Sequence, residues 1–299
     1  MKHNILFGVS VLPALLVMPA FAETITARQV ITENTTYTNT IAENIASTVA
    51  NNGGVFYMQD VPNVVLNFDG TSVFSGNSLN NGGMGGVIGN GWLSSTTGTG
   101  YTQGGKIVFD GPTTFANNAT NNINGGGAIF NYGLGNATNP DIIFYDTVNF
   151  TGNQVTETSN SVYSGGGAIN HRGGMLVFNS DATFDGNNSA SQGGAIISGG
   201  DMIFNGATEF NGNSAGKSGG ALAIMGGNTI FEGPTSFTNN TAAGASAIFV
   251  SEVADTVTFR DSATFTNNTG VGTLLNNKST SSVLFDSGAT FSDNTNQYN

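Results

Sequence analysis

The apolar residues of this chain come in bursts of three to five positions, bounded by Gly, Asn, Asp or Ser, and none keeps the 3.6-residue period of an amphipathic helix. Eight bursts end on a Phe that is followed six residues later by a second Phe and three residues after that by an Asn. The first Phe stands at Phe68, Phe109, Phe144, Phe178, Phe204, Phe231, Phe259 and Phe285. The second stands at Phe74, Phe115, Phe150, Phe184, Phe210, Phe237, Phe265 and Phe291, and the Asn at Asn77, Asn118, Asn153, Asn187, Asn213, Asn240, Asn268 and Asn294. Sixteen of the 21 phenylalanines lie in this motif, so it organises the whole chain. Between copies runs a glycine pair followed by a small or β-branched and then an apolar residue, as in Gly126-Gly127-Ala128-Ile129 and Gly193-Gly194-Ala195-Ile196. It decays at Ser246-Ala247-Ile248 and Gly272-Thr273-Leu274.

Each repeat therefore predicts three short extended pieces: the glycine-pair piece, a piece ending on the first Phe and a piece ending on the second. A unit this small cannot bury its own apolar face and must stack on its neighbours. Residues two after each Phe are Gly, Asn, Asp or Ser, which tolerate left-handed backbone or bond their own main chain in tight turns. The expected fold is all-β: a right-handed parallel β-helix with three strands per coil and about eight to nine coils, neighbouring strands lying about 4.8 Å apart. Equivalent residues of successive coils then lie on top of one another. The two Phe positions become interior columns, each ring gaining about 1.5–3 kcal/mol from burial. The Asn becomes a third column whose amides pass hydrogen bonds from coil to coil and satisfy turn backbone.

The N-terminus carries the expectation of where the protein goes. Lys2 precedes an apolar stretch from Ile5 to Val17, and Ala20-Phe21-Ala22 has the small-x-small pattern of a cleavage site, so residues 1–22 read as a secretory signal peptide. That run is shorter than the roughly 20 residues of a membrane anchor, and no later segment could span a bilayer as a helix. Residues 23–52 are then a capping segment or degenerate first coil, and residues 53–299 the repeats. Loss of Lys2 leaves six basic residues against 19 acidic ones, a charge of −13 that disfavours nucleic acid and anionic membrane as partners. There is no Cys, so stacked coils and not disulfides must stabilise the secreted chain.

Spacing between first-Phe positions is 41, 35 and 34 residues early and 26 to 28 later, so loop insertions concentrate between residues 78 and 165. They hold the only Trp and three of the seven Tyr: Trp92, Tyr101, Tyr132 and Tyr163. Aromatics on loops above a rigid scaffold suit stacking on sugars or docking on a protein, and these four are the candidate ligand-binding residues, with loop packing as the alternative. No catalytic or metal-binding residues and no cofactor are expected. Acidic residues are scattered along the coils, whereas a glycoside hydrolase needs carboxylates converging within about 5–10 Å. His171 is the single histidine after the leader, too few for a multi-His metal site or a convincing triad. The outward column after the first Phe contains Glu232, Arg260 and Asp286, an alternating-sign ladder. It also contains Asp69 above Asp110, the one like-charge pair. Thr114, Thr183, Thr264 and Thr290 share another column, but Val73, Asn149, Glu209 and Ser236 interrupt it, which argues against a flat ice-binding array.

Eight FxxN copies in phase with six glycine-pair motifs, behind a secretion signal, resemble the repeats of chlamydial-type polymorphic outer membrane proteins. More loosely they are similar to pectate-lyase-like autotransporter passenger domains. The resemblance covers roughly residues 53–294. It implies a secreted or surface-exposed adhesin that binds a host-surface protein or glycan, with a secreted polysaccharide lyase or hydrolase as the alternative on fold grounds. Members of that family end in an outer-membrane β-barrel. The residues after Asn294 hold no counterpart, so the expectation is a truncated or released passenger, or one anchored through a missing barrel or another protein.

Overall fold

Strands of two to six residues cannot stand alone, and in this protein all the described strands except one hairpin pair are stabilised by an equivalent one coil away. The computed structural model describes residues 23–26, 29–31, 33, 35–38, 40–43, 45–47, 53–80, 83–93, 101–122, 124–133, 141–158, 163–251, 255–276 and 280–295. The signal-peptide reading, on residues 1–22, lies outside them. No helix among the described residues is long and apolar enough to cross a membrane. Every secondary-structure element among the described residues is a strand, and the fold is a parallel β-helix.

A representative coil comprises Ile196–Ser198, Asp201–Phe204 and Thr208–Asn211. Its register is one for one: Phe204 lies between Phe178 and Phe231, Phe210 between Phe184 and Phe237, and Ile196 between Ile169 and Leu222. Repeated along the chain, these pieces make three parallel sheets of nine, nine and ten described strands. A fourth ladder, of seven two-residue strands such as Ser214–Ala215, follows the Asn. It has no room for an alternation that a sequence could display. Residues 29–47 contribute the first coil, in which Tyr37 takes the first-Phe place, Ala42 the second and Ile45 that of the Asn.

The two Phe columns fill the interior. Successive rings stack at 4.5–5.1 Å in the first column and 4.7–5.0 Å in the second. The two rings of a single coil meet edge to face, 6.3 Å apart for Phe204 and Phe210. Both arrangements satisfy the ring quadrupole. The small and apolar residues after the glycine pair close the third wall, Ala195 and Ile196 being fully buried.

Turn chemistry differs at the two Phe positions. Two residues after the second Phe the backbone is left-handed in every repeat, from Gly76 (φ 64°) through Asn117 (φ 55°) and Asn239 (φ 57°) to Asp293 (φ 56°). Only Gly and, at smaller cost, Asn and Asp enter that region readily. After the first Phe only Gly70 is left-handed. There Asp146 and Asp261 instead accept hydrogen bonds from the next backbone N–H at 2.6 Å. Glycines 111, 206 and 233 are required by close approach, since a Cβ would lie 2.3–2.5 Å from the preceding coil's backbone.

Candidate functional site

Binding or catalysis needs polar groups with unspent capacity, so the allocation of each polar column decides what it can do. In the Asn column, Asn187 donates from both its backbone N and its Nδ2 to Asn213 Oδ1 at 3.0 Å, and its Nδ2 also donates to the Phe150 carbonyl at 2.9 Å. The same three bonds, 2.8–3.0 Å long, recur for each motif Asn from Asn77 to Asn268. The column is buried and its amides are spent on the fold.

A second interior polar column, which the sequence reading passes over, lies at the end of the glycine-pair sheet. Asn90, Asn131, His171 and Ser198 occupy equivalent positions in four successive coils, all fully buried. Asn90 Nδ2 donates to Asn131 Oδ1 at 2.7 Å and to the Gly105 carbonyl at 2.9 Å. With its oxygen so engaged, Asn131 presents Nδ2 to His171 Nδ1 at 3.0 Å, which makes Nδ1 the acceptor. Nε2 then carries the hydrogen and faces the Asp201 carbonyl at 3.2 Å. Burial pulls the His171 pKa down to about 4, so the ring is neutral at physiological pH. The signal that could have located this column is a polar residue, followed within two positions by Gly, at a place where other coils have Met58, Ile224 or Val250.

Two of the long insertions leave the coil directly beyond this column. Asn90 is followed by a hairpin in which Trp92–Leu93 pairs antiparallel with Tyr101–Thr102, Trp92 opposite Thr102 and Leu93 opposite Tyr101. It is the one antiparallel pairing among the described residues. Tyr132, half-buried, leaves the next coil beside the hairpin's base. Its N–H donates to the Asn90 carbonyl at 2.8 Å and its carbonyl accepts from Gly104 N at 3.2 Å. Three of the four candidate residues thus emerge at one corner. Tyr163 does not join them, because it precedes the glycine pair where the other three follow it. Half-buried, it packs on Ile197, Ala223 and Met225, and the Arg172 guanidinium carbon lies 5.3 Å from its ring centroid. Its immediate surroundings are those of loop packing.

Apart from Asp255, which is buried, the carboxylates among the described residues are dispersed over partly or fully exposed positions. Arg260 pairs with Asp286 at 2.8 Å, both half exposed, and Glu232 takes no part in the pair. Asp69 and Asp110 are exposed neighbours in register. No group of three or more His, Cys, Asp or Glu able to hold a metal occurs among the described residues. An open groove of about 210 Å³ on the second-Phe sheet is lined by Thr208, Glu209, Thr235, Ser236, Ser262 and Thr264.

Fold and surface together define a β-helical solenoid with a filled interior and one elaborated corner. Comparison with protein-family models, with curated proteins and with solved structures gives no match.

Proposed function

We propose that the protein is a secreted or surface-exposed, adhesin-like β-helix, a passenger of the autotransporter type, that binds a host-surface protein or glycan without catalysis. The observation that carries this reading is the corner where the Trp92–Leu93 and Tyr101–Thr102 hairpin and Tyr132 leave an otherwise periodic scaffold. Rigid coils below and irregular aromatic-bearing loops above are the arrangement in which binding residues are held without ordering the scaffold anew. His171, the natural candidate for acid-base work, is engaged in the buried ladder, which favours binding over chemistry.

The test removes the hairpin and keeps its anchors. Gly91 N donates to the Met58 carbonyl and the Gln103 carbonyl accepts from Asp60 N, so the cut runs from Trp92 to Thr102, replaced by two glycines. Loop-closure entropy changes by only about 1–2 kcal/mol, in the stabilising direction. The shortened protein is expected to keep its sheet circular dichroism and melting temperature and to lose binding to host cells and glycan arrays. Undiminished binding, or cleavage of any glycan that is bound, overturns the proposal.

A further inference from the structure

We infer that Asn90, Asn131 and His171 form an acid-sensitive clasp, in which protonation of His171 loosens the stem of the Trp92–Leu93 and Tyr101–Thr102 hairpin two coils away. Asn90 holds both limbs of that hairpin. Along the chain it leads into Gly91 and Trp92, and with its side chain it grips Gly105 on the returning limb. Its Oδ1 accepts from Gly105 N and its Nδ2 donates to the Gly105 carbonyl, both at 2.9 Å. Two opposed bonds to one backbone residue fix which way the amide faces. The other Nδ2 hydrogen meets Asn131 Oδ1 at 2.7 Å, so Asn131 is held with its Nδ2 towards His171 Nδ1 at 3.0 Å. The ring must accept there, and only a neutral imidazole can.

A proton on Nδ1 sets two donors against each other at a fully buried position. The ring has no room to retreat, since Gly200 lies so close that a Cβ there would come within 2.6 Å of Nε2. Relief requires the Asn131 amide to turn over, which sets its Nδ2 against Asn90 Nδ2. Asn90 can turn in response only by giving up both bonds to Gly105, so the charge acts on the hairpin stem. The strands on either side of the ring, Ile129–Asn131 and Ile196–Ser198, carry no charged residue. Burial holds the His171 pKa at about 4, against the Asp201 and Gly174 carbonyls and the Asp201 carboxylate, which favour the charged ring. That carboxylate accepts from Asn228 N at 2.7 Å, and Asp141, beside Gly174, accepts from Met175 N at 2.8 Å. Arg172 is turned onto Asn170 Oδ1 and Asn124 Oδ1.

Hydrogen exchange on the intact chain, corrected for intrinsic rates, tests the clasp. A ring released by opening regains its ordinary pKa of about 6.5, so the opened population should rise about 30-fold between a pH of about 7.5 and one of about 5. The amides of Gly104 and Gly105, bonded to the Tyr132 carbonyl and to Asn90 Oδ1, are expected to exchange faster by that factor, and those beyond Thr208 to keep their rates. His171→Asn is expected to abolish the acceleration. His171→Met, which copies Met58 at the equivalent position, does the same if the Asn variant packs poorly. Acceleration confined to residues 171–202, acceleration along the whole chain, its persistence in both variants, or its absence from the unaltered protein overturns the inference. The consequence, weaker ligand binding in acid, rests on the reading of this corner as the binding site. Exchange needs no ligand, so the clasp stands or falls apart from that reading, which removal of the hairpin tests.

Discussion

Replacing Asn213 by Leu tests whether hydrogen bonding or apolar burial governs the corner of each coil. The Asn213 side chain accepts from Asn187 N and Asn187 Nδ2 and donates to the Phe184 carbonyl and Asn240 Oδ1, four bonds of 2.9–3.0 Å at a fully buried position. Leucine leaves two donors of Asn187 without an acceptor and one carbonyl without its donor. Each orphaned buried group costs about 1–3 kcal/mol, and the added apolar surface returns about 1 kcal/mol, so a net loss of about 2–8 kcal/mol is expected. Solenoids couple mainly to nearest neighbours, and the loss should therefore be local before it is global. Native-state hydrogen exchange reads it directly: the amide of Asn187 should accelerate most, those of Asn77 and Asn294 least. Urea midpoints give the global value, with exposed Asn211→Leu as the control for side-chain chemistry alone. A neutral or stabilising Asn213→Leu, or acceleration spread evenly along the chain, refutes the reasoning.

Phe210→Ala empties a place between two stacked rings and should cost about 3–5 kcal/mol in chemical denaturation, whereas exposed Glu209→Ala should cost less than about 1 kcal/mol. Equal effects would contradict the in-register columns. Gly194→Ala would place a Cβ 1.9 Å from the Gly220 carbonyl oxygen and 2.7 Å from Ser214 N, with backbone on both sides, so a loss of about 3 kcal/mol is expected. Gly186→Asn, at a left-handed position with open space around it and Asn117 at the equivalent turn, should change the denaturation midpoint little. His171 supplies a pH test. Its folded pKa, about 4, lies below the ordinary 6.5 of the unfolded chain. Stability from this group is therefore complete above pH 6.5 and is lost progressively as pH falls towards 4, by about 3 kcal/mol in all. His171→Asn, which extends the amides of Asn90 and Asn131, should remove that part of the acid sensitivity, and parallel pH profiles for the two proteins would show that the ring is not held neutral.

The repeat was legible because its physics is local and periodic. A Phe six residues before another Phe, turn formers two residues after each, and Asn three residues after the second Phe state the strand lengths, the turns and the interior columns without reference to any partner. Stacking then follows from the inability of one unit to bury its own rings, and the one-for-one register from the identity of the units. The closed Asn ladder was readable for the same reason.

What the sequence could not decide depends on meetings between coils of unequal length. The Asn90, Asn131, His171 and Ser198 column has no common residue type, and only superposition of four coils reveals it as one column, hydrogen-bonded from Asn90 through Asn131 to His171. Loop placement likewise separates Tyr163 from the corner that the other candidate residues share, because which end of a strand a loop leaves is set by the coil and not by the loop. The two turns, written in the same residue alphabet, are left-handed in one place and closely packed in the other. Backbone from the preceding coil makes that choice: where it crowds the turn, glycine serves for want of a side chain, and where it does not, glycine and asparagine serve for their conformation.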